Sequence, residues 1–300
     1  MAAAPRFSII LPTLNEGAML AMTIASIDSQ SAGSDYEILV VDDGSTDGSV
    51  AALERAPHRR RVKVLTGGGL GVARARNLGA RHARGEVLIF MDAHCRVTSG
   101  WLERFDEALQ YQEVGLAGPA FTKLETPHPS GCGMYWGDYT LDPCWFETPE
   151  MSDIYEAPLT TGACQTFRRE TFEKLGGYDA GFTRWGYEDV EMCLRVWLLG
   201  HHVAVHPAVT VAHYFRESRD NYNVDDGEVT YNFLRMVHLH FSPSRIRRVR
   251  EANAGNPYLD AAQERLADSD VFDRREHLLG RRVRDDEWFF SQINGHPAAS

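Results

Sequence analysis

Asp92 and His94 stand two residues apart at the end of an apolar run, Leu88-Ile89-Phe90-Met91. Such a run reads as a buried strand, and ligands of open α/β sheets gather at the carboxyl ends of strands. An acid and an imidazole placed there can hold a divalent cation. A cation there can hold a diphosphate, whose own oxygens complete much of the coordination shell. One carboxylate with an imidazole suits Mn2+ better than Ca2+, because nitrogen ligands favour the transition series. The same two residues could instead be a helix-capping aspartate and a surface histidine. His213, one of twelve histidines, follows residues 209–212 and could return as a third ligand or serve packing alone.

Other candidates carry the same ambiguity. Asp42-Asp43-Gly44-Ser45 closes the apolar residues 37–41; a carboxylate there can accept from a uracil ring or a ribose, or simply cap a turn. Pro12-Thr13-Leu14-Asn15-Glu16 ends the first apolar run in a similar way. Gly67-Gly68-Gly69-Leu70-Gly71 leads into Val72-Ala73-Arg74-Ala75-Arg76-Asn77. Its amides and an arginine could approach phosphates, or it could be a flexible turn. Val72 stands where the third glycine of a dinucleotide fingerprint belongs, and no P-loop lysine follows. Glu188-Asp189, after Trp185-Gly186-Tyr187, could supply a general base or cap a helix, worth about 1 kcal/mol.

The elements that must position these residues alternate. Strands are expected at 7–11 (stopped by Pro12), 37–41, 62–65 and 87–91, with helices carrying Leu20, Thr23, Ile24 and Ile27, then 47–55, 72–84, and Trp101, Phe105, Ala108 and Leu109. This βαβα order predicts an α/β fold, a mostly parallel central sheet flanked by helices. Residues 121–158 have little periodicity and read as a functional loop or lid. Order returns at 160–175; Val190, Cys193, Leu194, Trp197 and Leu198 mark one face of an amphipathic helix that Gly200 ends, and 203–211 are strand-like. Beyond 217 the chain is polar and helical, with a basic cluster of Arg245, Arg247, Arg248 and Arg250. The expected division is a catalytic domain at 1–216 and a helical C-terminal extension, 217–300, packed on it.

Composition narrows the function. The 43% hydrophobic fraction of the 300 residues suffices for a core, and a formal charge of −11 argues against general nucleic-acid binding. Only Lys63, Lys123 and Lys174 are lysines. Cys95, Cys132, Cys144, Cys164 and Cys193 are odd in number and lack zinc-ligand spacing. Free thiols in a reducing compartment are expected, with Cys132 and Cys144 the one pair that could bridge. No apolar run approaches the ~20 residues that span a bilayer, and the first six residues do not read as a signal peptide. A cytoplasmic protein is expected; no oligomeric state follows.

In order and number these motifs resemble the glycosyltransferases of the GT-A fold, above all the family 2 enzymes and the polypeptide N-acetylgalactosaminyltransferases. The resemblance runs from about Phe7 to Arg216. The opening Phe7-Ser8-Ile9-Ile10-Leu11-Pro12-Thr13-Leu14-Asn15-Glu16 and Val41-Asp42-Asp43-Gly44-Ser45-Thr46-Asp47 look like family 2. Asp92-Ala93-His94-Cys95, Gly177-Tyr178-Asp179, Trp185-Gly186 and Val211-Ala212-His213-Tyr214-Phe215-Arg216 look like the polypeptide enzymes. The resemblance implies Mn2+ (or Mg2+) held by Asp92, His94 and His213 on a nucleoside diphosphate, UDP by preference. It implies a nucleotide pocket of Thr13, Glu16, Asp42, Asp43, Arg74, Asp92 and Ala93. Gly162, Ala163 and Trp185 would border the donor sugar, and Tyr135 and Trp136 would belong to a mobile cover.

The polypeptide enzymes usually carry Glu-Asn after the Trp-Gly pair. Glu188-Asp189 instead resembles the inverting members, with Asp189 as base and Glu188 on the sugar or acceptor. Inversion is therefore slightly favoured, although Asp-Ala-His leans toward retention. The acceptor would be a hydroxyl or other nucleophile of a peptide, glycan or metabolite. The membrane anchor and lectin module of the animal enzymes are not expected. The alternatives are a non-catalytic nucleotide-sugar-binding protein on this scaffold and a nucleotidyltransferase.

Overall fold

Ile9, Ile10 and Leu11 are fully buried in strand β1 (Phe7–Thr13), as a continuous apolar run requires when a sheet is covered on both faces. The computed structural model describes residues 4–53, 62–126, 129–146, 153–216 and 224–294. β1 lies between β2 (Tyr36–Asp42) and β4 (Val87–Met91), and β3 (Val62–Thr66) borders β2; all three pairings are parallel. β1 runs through Pro12 instead of stopping there. β4 pairs with it only as far as Ile10, so Pro12 lies on a stretch with one open side, where a residue lacking an N–H is tolerated.

The first crossover helix, α1 (Ala18–Gln30), buries Leu20, Thr23, Ile24 and Ile27, the face its spacing predicts. α2 (Ser49–Leu53) is shorter than the expected 47–55, whose last two residues lie outside the described ones. α3 (Val72–His82) follows the glycine run.

Past β4 the expectation of a mostly parallel sheet fails. β11 (Cys164–Arg168) pairs antiparallel with both β4 and β6 (Val114–Lys123); β6 pairs parallel with β12 (His202–His213); β12 pairs antiparallel with β10 (Tyr155–Glu156). The sheet is mixed because no helical crossover leads into β11, and only such a crossover returns the chain in a parallel sense. Residues 121–158 are also more regular than expected. They hold the end of β6, β7 (Pro129–Gly131), the hairpin of β8 (Met134–Trp136) and β9 (Pro143–Trp145), and β10. Strands of two or three residues are too short to show a period. Trp136 is 2% exposed and packs on Phe241, Phe289 and Phe290, so it is core and not a mobile cover.

One short pairing matters most for the site. β5 (Cys95–Val97) pairs antiparallel with the end of β12, setting His213 opposite Cys95. α4 (Trp101–Ala108) and α5 (Arg169–Leu175) complete the flanking helices.

α6 (Glu188–Leu198) is not the one-faced helix its apolar spacing suggests. Ten of its eleven residues are buried, Asp189 being the exception. The C-terminal helices α7 (Asp226–His240) and α11 (Asp286–Gln292) pack on it, while α8 (Pro243–Ala252), α9 (Leu259–Ala267) and α10 (Val271–Leu279) pack on α7. Their apolar residues join one face of the sheet in a single core, with Ile10, Phe90, Leu194, Leu234, Val249 and Phe289 among its members. The other face forms a second core with α1 and α4. The expected boundary at 216/217 falls at the edge of the described residues.

Candidate metal and nucleotide site

The chain turns sharply after β4, where the Asp92 N–H donates to Ala163 O at 3.1 Å. That turn presents Asp92 and His94, and the β5–β12 pairing delivers His213. The ligand atoms of these three residues lie within 4.8 Å of one another, the one such cluster among the described residues. The two Nε2 atoms are 3.1 Å apart, and Asp92 Oδ2 is 3.4 Å from His213 Nε2 and 3.9 Å from His94 Nε2. Imidazole nitrogens bound at about 2.0–2.1 Å and at right angles stand about 3 Å apart, so the spacing suits adjacent ligands of one ion. The His94 Nδ1–H donates to Glu16 Oε2 at 3.0 Å, which leaves the Nε2 lone pair facing the cluster. His213 Nδ1 is buried without a hydrogen-bond partner among the described residues. Burial pushes the Asp92 carboxyl up, but the His213 hydrogen bond and the charges of His94 and Arg76 outweigh it and hold it well below the usual range.

Beside the cluster opens a cavity of about 290 Å³. Thr13, Glu16, Asp43, Asp92, Ala93, His94 and Trp185 line it. Asp42, Arg74, Gly162, Ala163, Glu188, Asp189 and His213 are not in its wall. Asp42 Oδ1 accepts from Ser45 N at 2.8 Å and Gly44 N at 3.3 Å, which makes it a turn residue. Arg74 is exposed and donates to Ala180 O at 2.7 Å. The glycine run is also not the free amide cradle it could have been. Asp43 takes the N–H groups of Gly69, Leu70 and Gly71 at 2.9, 2.6 and 2.8 Å. Gly71 has φ 81°, and a Cβ on it would come within 2.7 Å of the Arg184 backbone.

Arg184 is the arginine of the cavity wall; behind the cluster Arg76, not Arg74, is buried. It is 2% exposed, lies under the Tyr178 ring at 5.1 Å, and donates to Glu188 Oε1 at 2.9 Å, Gly162 O at 2.8 Å and Asp92 Oδ1 at 3.3 Å. It thus ties the metal-side acid to the Glu188-Asp189 pair. Gly162 must lack a side chain, since a Cβ would meet Arg76 Nη2 at 2.8 Å and Asp189 Cβ at 2.9 Å. Asp189 accepts from Gly162 N at 2.7 Å and Val190 N at 2.8 Å, and is more open to solvent than Glu188. Burial first, then the Asp189 charge, raise the Glu188 carboxyl to about 7 against the pull of Arg76.

The sequence matches glycosyl transferase family 2 over residues 8–176. The chain belongs to that family. A second match, to the N-terminal domain of galactosyltransferase, covers residues 149–219 and so includes Glu188, Asp189 and His213. Polypeptide N-acetylgalactosaminyltransferase 11 of Xenopus tropicalis is 29% identical over 313 residues, 96% of this chain and 50% of the relative. An inactive polypeptide N-acetylgalactosaminyltransferase-like protein 5 of Macaca fascicularis is 28% identical over 221 residues, 68% of this chain and 49% of the relative. The chain therefore spans about half the length of such curated relatives. A crystal structure of GalNAc-T7 with UDP, GalNAc and Mn2+ superposes with a TM-score of 0.77 at 22% identity, covering 98% of this chain and 57% of that one. The fold is GT-A.

Two parts of this family 2 site escaped the sequence. Arg76 was legible in principle: Ala73, Arg76 and Ala80 share the buried face of α3, and an arginine on such a face needs partners. The second is the role of α7. Its buried Asn232 accepts from Thr183 N at 2.9 Å and donates to Thr183 O at 2.7 Å and Trp185 O at 3.0 Å. The C-terminal helices thereby hold the Trp185 loop, whose Arg184 and Tyr187 have positive φ (38° and 68°), against the cavity.

Proposed function

We propose that this chain is a metal-dependent glycosyltransferase that moves a sugar from a nucleoside diphosphate donor, UDP-linked, to a hydroxyl acceptor. The carrying observation is the convergence of Asp92, His94 and His213 within 4.8 Å beside a cavity of about 290 Å³. Mn2+ fits this donor set of one oxygen and two nitrogens, and Mg2+, which favours oxygen ligands, fits it less well. Bound there, the ion would offset the charge on a departing diphosphate.

The remaining work falls to the chain itself. Thr13 and Asp43 border the nucleotide, Trp185 closes over the donor side, and Arg76 fixes Asp92 relative to Glu188. Asp189, the more open of the paired acids, takes the acceptor proton, which makes the reaction inverting. Among acceptors the relatives' names favour a peptide hydroxyl over a glycan or metabolite. Five unbridged cysteines support a reducing, cytoplasmic setting. No helix among the described residues is long and apolar enough to cross a membrane.

Calorimetric titration with UDP and UDP-sugars in the presence of Mn2+ tests the reading, and absence of binding sinks it. Proton NMR of the first product gives the stereochemistry; a retained configuration removes Asp189 from the base role. A non-catalytic nucleotide-sugar binder is the second reading, favoured by the inactive relative and by the absence of Glu188 and Asp189 from the cavity wall. Product formation with any acceptor excludes it. The nucleotidyltransferase alternative draws no support from a glycine run whose amides serve Asp43.

A further inference from the structure

We infer that Glu16 is a positioning residue of the metal centre, bracing the His94 imidazole directly and, through Arg216, the segment that carries His213, from one carboxylate oxygen. The inference rests on the proposed metal site and adds to it. Glu16 is 5% exposed, and its Oε2 accepts from His94 Nδ1 at 3.0 Å and also from the guanidinium of Arg216. Arg216 lies three residues beyond His213. One oxygen therefore joins the turn that carries the first imidazole to the segment that carries the second.

The carboxylate is delivered from a fixed loop. Asn15 adopts φ 53°, its N–H donates to Ser45 Oγ at 3.0 Å, and its Oδ1 accepts from Thr46 N at 2.8 Å. Gly17 N donates to Asp47 Oδ2 at 2.7 Å, and Met19 N to Glu16 O at 3.1 Å. Glu16 is thus held on both sides by the segment that follows β2. A carboxylate on the far nitrogen of a ligating histidine selects the tautomer, fixes the ring and raises its basicity. The loops after β1 and β12, distant in sequence, would in this way set the geometry of the ion between them.

Mn2+ binding to the full chain, followed by loss of the free-ion EPR signal, tests this with and without UDP. Glu16→Ala weakens Mn2+ binding by roughly 10- to 100-fold, the range found when such partners are removed. It also diminishes the imidazole-nitrogen modulation in the pulsed EPR spectrum of bound Mn2+. Glu16→Gln keeps an acceptor for the Nδ1–H, restores the modulation and recovers part of the affinity. It also keeps the test alive should the alanine variant fail to fold. Unaltered Mn2+ affinity and unaltered imidazole modulation in the variants overturn the inference and leave the metal site standing. Failure of the unaltered chain to bind Mn2+ under either condition overturns the metal site and this inference with it.

Discussion

Two clusters in this molecule are built from the same residue types and do different work. On α6 and α7, Glu191, Arg195 and His240 are at most 2% exposed. Arg195 spans both Glu191 oxygens at 3.0 and 2.7 Å and donates to Leu175 O and Gly177 O at 2.8 and 2.7 Å, while His240 Nε2 meets Glu191 Oε1 at 2.7 Å. Every charge there is answered from within. Burial pushes the Glu191 carboxyl up, but Arg195 and His240 draw it well below its ordinary value. Burial also lowers His240. The Asp92, His94 and His213 cluster has Arg76 and Glu16 behind it, yet its ligand atoms turn toward one another beside an open cavity. A list of acids, imidazoles and arginines does not distinguish the two. Closure against the core marks one as structural, and convergence beside empty volume marks the other as a binding site.

The largest effect expected from breaking this contrast is on the closed cluster. Glu191→Ala strands a buried arginine and costs about 3–5 kcal/mol of stability, read by chemical denaturation, while Mn2+ affinity of the folded fraction is unchanged. A matching loss of metal binding would show that the clusters are not independent. Next in size, Asp92→Ala or His213→Ala lowers Mn2+-dependent UDP binding by more than roughly 100-fold, beyond the cost of removing outer partners. Unchanged binding in either variant refutes the ligand assignment.

A smaller effect concerns Glu188, raised from 4.5 to about 7 by burial and by Asp189. Between those values the folded chain keeps a proton that the unfolded chain has released. The contribution to stability is thus full below about pH 4.5 and lost as pH rises through about 7. Glu188→Gln flattens that slope in urea midpoints measured across the window; an unaltered slope places the titration elsewhere. The smallest effect is at Arg74, whose exposed side chain donates to Ala180 O at 2.7 Å. Arg74→Ala changes stability by less than about 0.5 kcal/mol and leaves UDP affinity unaltered, whereas Arg76→Ala loses both. An Arg74 variant that fails to bind UDP would return this side chain to the nucleotide pocket.

The sequence alone determined those features that a few neighbouring residues decide. The apolar runs of β1, β2 and β4, the buried face of α1 and the Asp-x-His at a strand end are local patterns, read by period and by turn chemistry. Tertiary structure decided which strands lie side by side, and with that which candidates meet. The pairing of β5 with β12 brings His213 to His94 across 119 positions, and the packing of α3 buries Arg76 while leaving Arg74 outside. Asp43 faced the glycine run and Glu16 faced a histidine for the same reason. A carboxylate's partners depend on chain segments whose approach no local period encodes, because that approach is set by the packing of the whole sheet.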